Sequence, residues 1–267
     1  MLRNCIIIVL LFCAPLVVSA QEEAANVFFA NAYRDINPGQ GTAYREMIAE
    51  YVKPVQQARV DAGEIAGWTL YAVRFPAGGD YDTVSVTVGP GYAALEPAGS
   101  FRKAFDRVHS ARKWDKFIAE IGPTNNLVRT EIWETLANEA PADGASNYLR
   151  VTYNKSSQGD GQAYNALVQK LAVPFWAEAV KSTPVNNWGH YALREPAGNA
   201  SPHNFAAVVG FKSFADMDPG KQDFPGVFSK VHPNEDIRKV GPKFQKLTTP
   251  VRQETWELIE TTQPRGE

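Results

Sequence analysis

The chain states one pattern twice. Gly39, Gly41, Tyr44, Pro54, Trp68, Tyr71, Ala72, Arg74, Pro76, Ala77 and Gly78 recur 120 positions later as Gly159, Gly161, Tyr164, Pro174, Trp188, Tyr191, Ala192, Arg194, Pro196, Ala197 and Gly198. Further on, Phe105, Val108, His109, Arg129, Glu131, Trp133 and Glu134 return as Phe228, Val231, His232, Arg252, Glu254, Trp256 and Glu257, now 123 positions later. Such self-similarity marks a duplicated structural unit. Two like modules on one chain are expected to pack as a covalent imitation of a two-fold dimer, with any ligand site where they meet.

Residues 1–20 read as an export signal: Arg3 is a basic start, Ile6 to Val18 an apolar core, and Val18-Ser19-Ala20 a small-residue cleavage site before Gln21. The product is expected to be periplasmic or secreted, and the signal is short for a bilayer span. Cys5 and Cys13 both fall inside it, so the mature chain has no thiol for a disulfide, a nucleophile or a metal site. Beyond Ala20 there are 26 basic and 29 acidic side chains, a net charge of −3. That balance gives no footprint for nucleic acid or an anionic membrane. The remaining partner class is a small molecule, and the paired modules lead us to expect a monomer.

Each module spans about 115 residues, an ordinary domain size. In the first (21–136), Val27 to Arg34 reads as a strand. Tyr44, Met47, Ile48, Tyr51, Val52, Val55 and Ala58 then follow at the spacing of one helix face. Pro54 and its counterpart Pro174 fall late in these helices and should kink or restart them. Gly67 to Phe75, a Pro76-Ala77-Gly78-Gly79 turn and Tyr81 to Val88 read as a hairpin. A helix over Phe101 to Ile121 and a strand over Leu127 to Leu136 close the unit. The order is β-α-β-β-α-β, the split arrangement of a ferredoxin-like sandwich. Residues 137–146 read as a surface linker, 147–260 as the second module with a shorter or divided second helix, and 261–267 as a loose tail. The fold class is therefore α+β, two tandem modules forming an intramolecular pseudo-dimeric α/β barrel.

The duplicated unit, with Gly-Trp-x-x-Tyr-Ala-x-Arg leading into a hairpin at Pro-Ala-Gly, resembles the dimeric α/β-barrel superfamily. That group includes antibiotic biosynthesis monooxygenase-like and NIPSNAP-like proteins and the chlorite dismutases. The resemblance covers essentially the whole mature chain and implies two sheets closing around a central cleft. It also implies a choice among cofactor-independent oxygenase or isomerase chemistry, haem chemistry as in chlorite dismutases, and a non-enzymatic module with a packed interior. Fold likeness alone does not choose.

Three sets of residues are candidates for the cleft. Arg129, Glu131 and Trp133 share one face of the last strand, as do Arg252, Glu254 and Trp256. Inside a barrel they form either an Arg–Glu ladder that docks the sheets or anchors for a carboxylate or enolate. Trp68, Leu70, Ala72 and Arg74 share a face of the second strand, matched by Trp188, His190, Ala192 and Arg194. His190, standing where the first copy has Leu70, is the candidate general base or metal or haem ligand, unless it is a histidine hydrogen-bonded at a sheet edge or surface. Tyr71 and Tyr191 point the other way and define the cleft if that face is inward. Thr83, Ser85 and Thr87, aligned with Asn204, Ala206 and Val208, suggest a cleft with one polar and one apolar wall. His109 and His232 are read as surface or capping residues, and His203, next to Pro202 in a hairpin loop, carries little information. No phosphate loop, dinucleotide motif or metalloprotease motif is present, and no cofactor is expected, haem being the one alternative.

Overall fold

Gly39 and Gly159 both sit at positive φ, +78° and +94°, a region an L side chain enters only with strain. Each repeat thus turns at its glycine from a first strand into a helix. The structure is a computed structural model describing residues 27–75, 81–95, 97–141, 145–198 and 201–263. The expected export signal and the expected Pro76 to Gly79 turn lie outside the described residues.

The first copy runs β1 (Phe28–Ile36), α1 (Gly41–Met47), α2 (Lys53–Asp61), β2 (Gly67–Arg74), β3 (Thr83–Gly89), α3 (Pro97–His109), α4 (Trp114–Ile121) and β4 (Asn125–Glu139). The second runs β5 (Tyr148–Ser156), α5 (Gly161–Leu167), α6 (Val173–Ser182), β6 (Val185–Glu195), β7 (Phe205–Phe211), α7 (Phe224–Val231), α8 (Val240–Gln245) and β8 (Thr248–Thr261). Pro54 and Pro174 have the effect expected of them. A wide π-helical turn, Ile48–Val52 or Val168–Ala172, precedes each proline and joins α1 to α2 or α5 to α6. With no proline N–H, the helical ladder is broken there. His109 and His232 then place a ring nitrogen on the carbonyls of Tyr51 and Leu171, at 3.2 and 3.0 Å. These duplicated histidines tie the later helix of each repeat to the broken turn.

Eight antiparallel strands close into one barrel in the order β1-β3-β2-β8-β5-β7-β6-β4, with β4 pairing back to β1. The order β4-β1-β3-β2 is repeated as β8-β5-β7-β6, and the two sets meet at the β2–β8 and β4–β6 ladders. Closure leaves no free sheet edge. Arg74 pairs with Glu257 across one seam and Arg194 with Glu134 across the other. The arginines are half exposed, so each pair contributes at most about 1 kcal/mol; the ladders hold the seams.

The helices lie outside the barrel, so both faces of most strands are buried. Trp68 and Leu70 pack with Tyr51, Val55, Phe105 and Phe117 on the helix side, and Trp188 and Phe205 pack with Tyr164 in the second copy. Tyr33, Val84, Trp133, Tyr153 and Trp256 pack inside the barrel. Burying one such aliphatic or aromatic side chain contributes about 1.5–3 kcal/mol.

Several boundaries differ from the sequence expectations. The helix expected over 101–121 is divided at Ser110, whose φ of +71° cannot continue a helix. The expected linker loses Ala137 to Glu139 to β4, where they pair with His190, Gly189 and Trp188. The expected tail begins in order: Thr261 ends β8, and the Thr262 hydroxyl accepts from the Trp68 N–H at 3.0 Å. Among the described residues no helix is long and apolar enough to cross a membrane.

Candidate functional site

A period-two strand sends alternate residues into the barrel, and all eight strands contribute to its lumen. One end is filled by polar groups. Glu131 and Glu254, at 3% and 1% exposure, are buried carboxylates and need partners. Glu131 accepts from Tyr33 Oη at 2.7 Å, Arg129 Nε at 2.9 Å and Trp133 Nε1 at 3.1 Å, and His203 Nε2 lies 3.1 Å away. Glu254 accepts from Tyr81 Oη at 2.6 Å and Trp256 Nε1 at 2.9 Å, with Arg252 Nε at 3.1 Å. The Tyr33 and Tyr153 hydroxyls meet at 3.1 Å between the two clusters. The guanidiniums of Arg129 and Arg252 stack over Tyr33 and Tyr153, 4.1 and 4.7 Å from the ring centroids.

The clusters cross-link the repeats. His203 of the second reaches Glu131 of the first, and Tyr81 of the first reaches Glu254 of the second. Burial works against ionisation of Glu131, but His203, Tyr33 and Arg129 outweigh it and hold its carboxyl down at about 2.

Beyond the Trp133 and Trp256 rings the lumen opens into a chamber of about 240 Å³, lined from all eight strands. Its wall is mainly apolar and aromatic, with Phe29, Tyr71, Leu149, Val151 and Tyr191 facing across it. Pro141, Ala145 and Ser146, from the segment between β4 and β5, also line it. Two glycines shape this end. A Cβ on Gly189 would stand 2.0 Å from the Tyr191 hydroxyl, and one on Gly210 would stand 1.6 Å from Asn187 Oδ1 and 2.3 Å from Ser146 Oγ. The missing side chains let Tyr191, Asn187 and Ser146 occupy those places.

Burial pushes the Tyr191 phenol up to about 12 and the Tyr71 phenol above the usual range. Both are neutral hydrogen-bonding groups at pH 7. Asn31 Oδ1 is buried without a hydrogen-bond partner, and Asn31 lines the chamber. It is an acceptor awaiting a donor.

The structure separates the expected site residues. Arg129, Glu131, Arg252 and Glu254 share the lumen, where the geometry is that of the ladder reading: each arginine is turned onto its neighbouring glutamate. Trp68, Trp188 and His190 lie on the opposite, helix-covered face, contrary to the cleft expectation. Arg74 and Arg194 lie at the outer seams. His190 is fully buried, stacked between Trp188 and Phe205, 6.5 and 5.5 Å away by ring centroids. Burial lowers its pKa to about 4 despite a contribution from the Ala206 backbone, so the imidazole is neutral. Thr83, Ser85 and Thr87 also face the helices. Val84 and Val86 face inward, opposite Tyr33 and Asn31. In the second copy Ala206 and Val208 pair with Tyr153 and Val151, so the repeats align here at a spacing of 122, not 121. That one-residue slip exchanges the faces, and the polar wall moves out of the lumen.

Tyr33, Tyr81, Tyr153 and His203 were missed as lumen residues. The signal for His203 was its equivalence to Tyr81 at that same spacing of 122.

Haem does not fit the chamber. None of the four histidines lines it, so an iron there would have no imidazole ligand. Its volume is also below the roughly 300–1,000 Å³ of pockets for larger ligands. Among the described residues no group of three or more His, Cys, Asp or Glu could hold a metal ion.

No protein-family model matches the chain, and no curated protein sequence does. Solved structures do. A candidate monooxygenase from Fusobacterium nucleatum subsp. nucleatum superposes with a TM-score of 0.58 at 8% identity, covering 92% of this chain and 97% of its own. One from Lactobacillus acidophilus superposes at 0.50 and 11% identity, covering 90% and 97%. A chlorite dismutase variant from Candidatus Nitrospira defluvii gives 0.49 at 11% identity, covering 88% and 91%. At such identities the likeness to the first two shows a shared fold, the dimeric α/β barrel, and nothing finer.

Proposed function

We propose that this protein is an exported, tandemly duplicated α/β-barrel protein that binds one small aromatic or apolar molecule, of one or two rings, in its lumen. The chamber between the Trp133 and Trp256 rings and Pro141, Ala145 and Ser146 carries the reading. It is apolar, drawn from both repeats, and holds one unanswered acceptor, Asn31 Oδ1. The ligand it suits has a flat apolar body and one hydroxyl or N–H donor. The Arg129–Glu131 and Arg252–Glu254 clusters serve as the plug that fixes the two halves in register.

Two fold neighbours named as candidate monooxygenases make oxygenation of such a compound the first activity to assay. This chain's residues would bind and orient the substrate in a water-poor chamber. Glu131, held at about 2, and Tyr191, at about 12, are both far from the neutral range that suits a general base. Duplication is supported by the repeated strand order, and a monomer by ladders that already close the barrel within one chain. Export rests on residues 1–20; an amino terminus other than Gln21 on the periplasmic or secreted protein would count against it.

The decisive experiment is calorimetric titration of the mature chain with 1-naphthol and naphthalene. One site per chain is expected. Val208→Phe, which fills the chamber, should abolish it, and Asn31→Leu should weaken 1-naphthol about tenfold while leaving naphthalene within about twofold. Undiminished binding by folded Val208→Phe would overturn the proposal.

A further inference from the structure

The two repeats are not equally filled between sheet and helices. Thr83 pairs with Arg34 and Ala72, and Phe205 pairs with Asn154 and Ala192, so Thr83 and Phe205 hold equivalent places, as do Arg34 and Asn154. In the second repeat the Phe205 ring lies 4.9 Å from that of Tyr164, and its Cζ would be 3.4 Å from a Cβ on Gly161. The space is occupied. In the first repeat the ring is replaced by a threonine, and a Cβ on Gly41 would meet nothing within 4 Å. Beside that place a cavity of about 330 Å³, lined by Thr83's strand partner Arg34 and by Tyr44, opens between the outer face of the barrel and the helices.

Its walls are Ile48, Val52, Trp68, Phe101, Phe117 and Ile121, and Arg34 lines it with Asn125. Arg34 Nη1 donates to Asn125 Oδ1 at 2.8 Å, and Asn125 in turn donates to the Ile121 carbonyl at 3.0 Å. The guanidinium is thereby anchored by a neutral side chain. No carboxylate among the described residues forms an ion pair with it, although thirteen of the fourteen ion pairs do satisfy another arginine or lysine. A guanidinium offers five donors in a planar fork suited to a carboxylate.

We infer that the first repeat holds a second ligand site, separate from the lumen, which takes an apolar monocarboxylate: its hydrocarbon body lies among the Ile48, Phe101 and Phe117 side chains and its carboxylate meets Arg34. The inference does not depend on the lumen reading, because the two cavities lie on opposite faces of the sheet and share no lining residue.

The test is calorimetric titration of the mature chain with 1-naphthoate, and with 1-naphthalenemethanol as the uncharged comparison. Replacing each key residue by its counterpart from the other repeat supplies the variants. Thr83→Phe, which sets a ring beside Arg34 at the edge of the cavity, should weaken 1-naphthoate at least about tenfold, and should weaken the alcohol as much when both are titrated in the Val208→Phe background, where the lumen is blocked. Arg34→Asn should weaken 1-naphthoate about tenfold and the alcohol less than about twofold, and Arg34→Lys should restore part of the loss. Val208→Phe, which blocks only the lumen, should leave 1-naphthoate unchanged. The inference is overturned if wild type does not bind 1-naphthoate, if Arg34→Asn binds it as wild type does, or if Val208→Phe removes it. Should Thr83→Phe fail to fold, the Arg34 variants decide alone.

Discussion

Glu131 offers the sharpest check on the internal network. Its carboxyl is held at about 2 against an ordinary 4.5, a difference of about 2.5 units, or about 3.4 kcal/mol at 1.36 kcal/mol per unit. The folded value is the lower one, so the unfolded chain binds the proton first as pH falls. The stabilisation is therefore complete well above 4.5 and is lost as pH falls toward 2. By the same linkage about 2 kcal/mol of it disappears between pH 7 and pH 3. Little discount for solvent screening is needed, because the side chain is only 4% exposed. Glu131→Gln removes the titrating group and leaves Arg129 without its carboxylate. Urea unfolding at both pH values, for wild type and variant, separates the two consequences. The variant should be about 3 kcal/mol less stable at pH 7, and wild type should lose about 2 kcal/mol more than the variant on acidification. Equal losses on going to pH 3 would refute the claim that His203, Tyr33 and Arg129 hold this carboxylate ionised.

Two further outcomes follow from buried positions. His190 lies between aromatic rings in a dry layer, and its folded value of about 4 lies below the ordinary 6.5. Wild type should therefore lose about 2 kcal/mol from this group between pH 7.5 and pH 5, and His190→Leu, the residue of the other repeat, should remove that loss without lowering stability at pH 7.5, as read from urea midpoints. Gly189→Ala places a methyl group against Tyr191; unfolding titrations should show a loss of about 1–3 kcal/mol, and 1-naphthol should bind the folded variant at least about tenfold more weakly.

Much of the fold was legible because a repeat tests itself. The apolar stripe from Tyr44 to Val55 appears again from Tyr164, and a pattern present twice at one spacing is hard to mistake for a loop. The shared face of Arg129, Glu131 and Trp133 was also legible, since period-two alternation sets all three on one side of the closing strand. The second and third strands were not. Trp68 and Leu70 on one face and Tyr71 and Val73 on the other are all apolar or aromatic, because helices cover one side and the lumen buries the other. Alternation cannot assign faces where both are dry. His203 was hidden for a related reason: it sits in a loop whose two-residue insertion breaks the register with Tyr81.

The sequence by itself determined the repeated β-α-β-β-α-β order, the glycine turns, the proline-broken helices and the alternation that sets Arg, Glu and Trp on one face of each closing strand. These follow from local sterics and from the period of the chain. Which edges join, which strand face meets the lumen, and where an Asn31 acceptor is left unanswered or an Arg34 guanidinium without a carboxylate were decided only in tertiary structure. They depend on contacts between residues some 60 to 200 positions apart, as Arg194 with Glu134 and Trp68 with Thr262 illustrate, and no local preference encodes the partner.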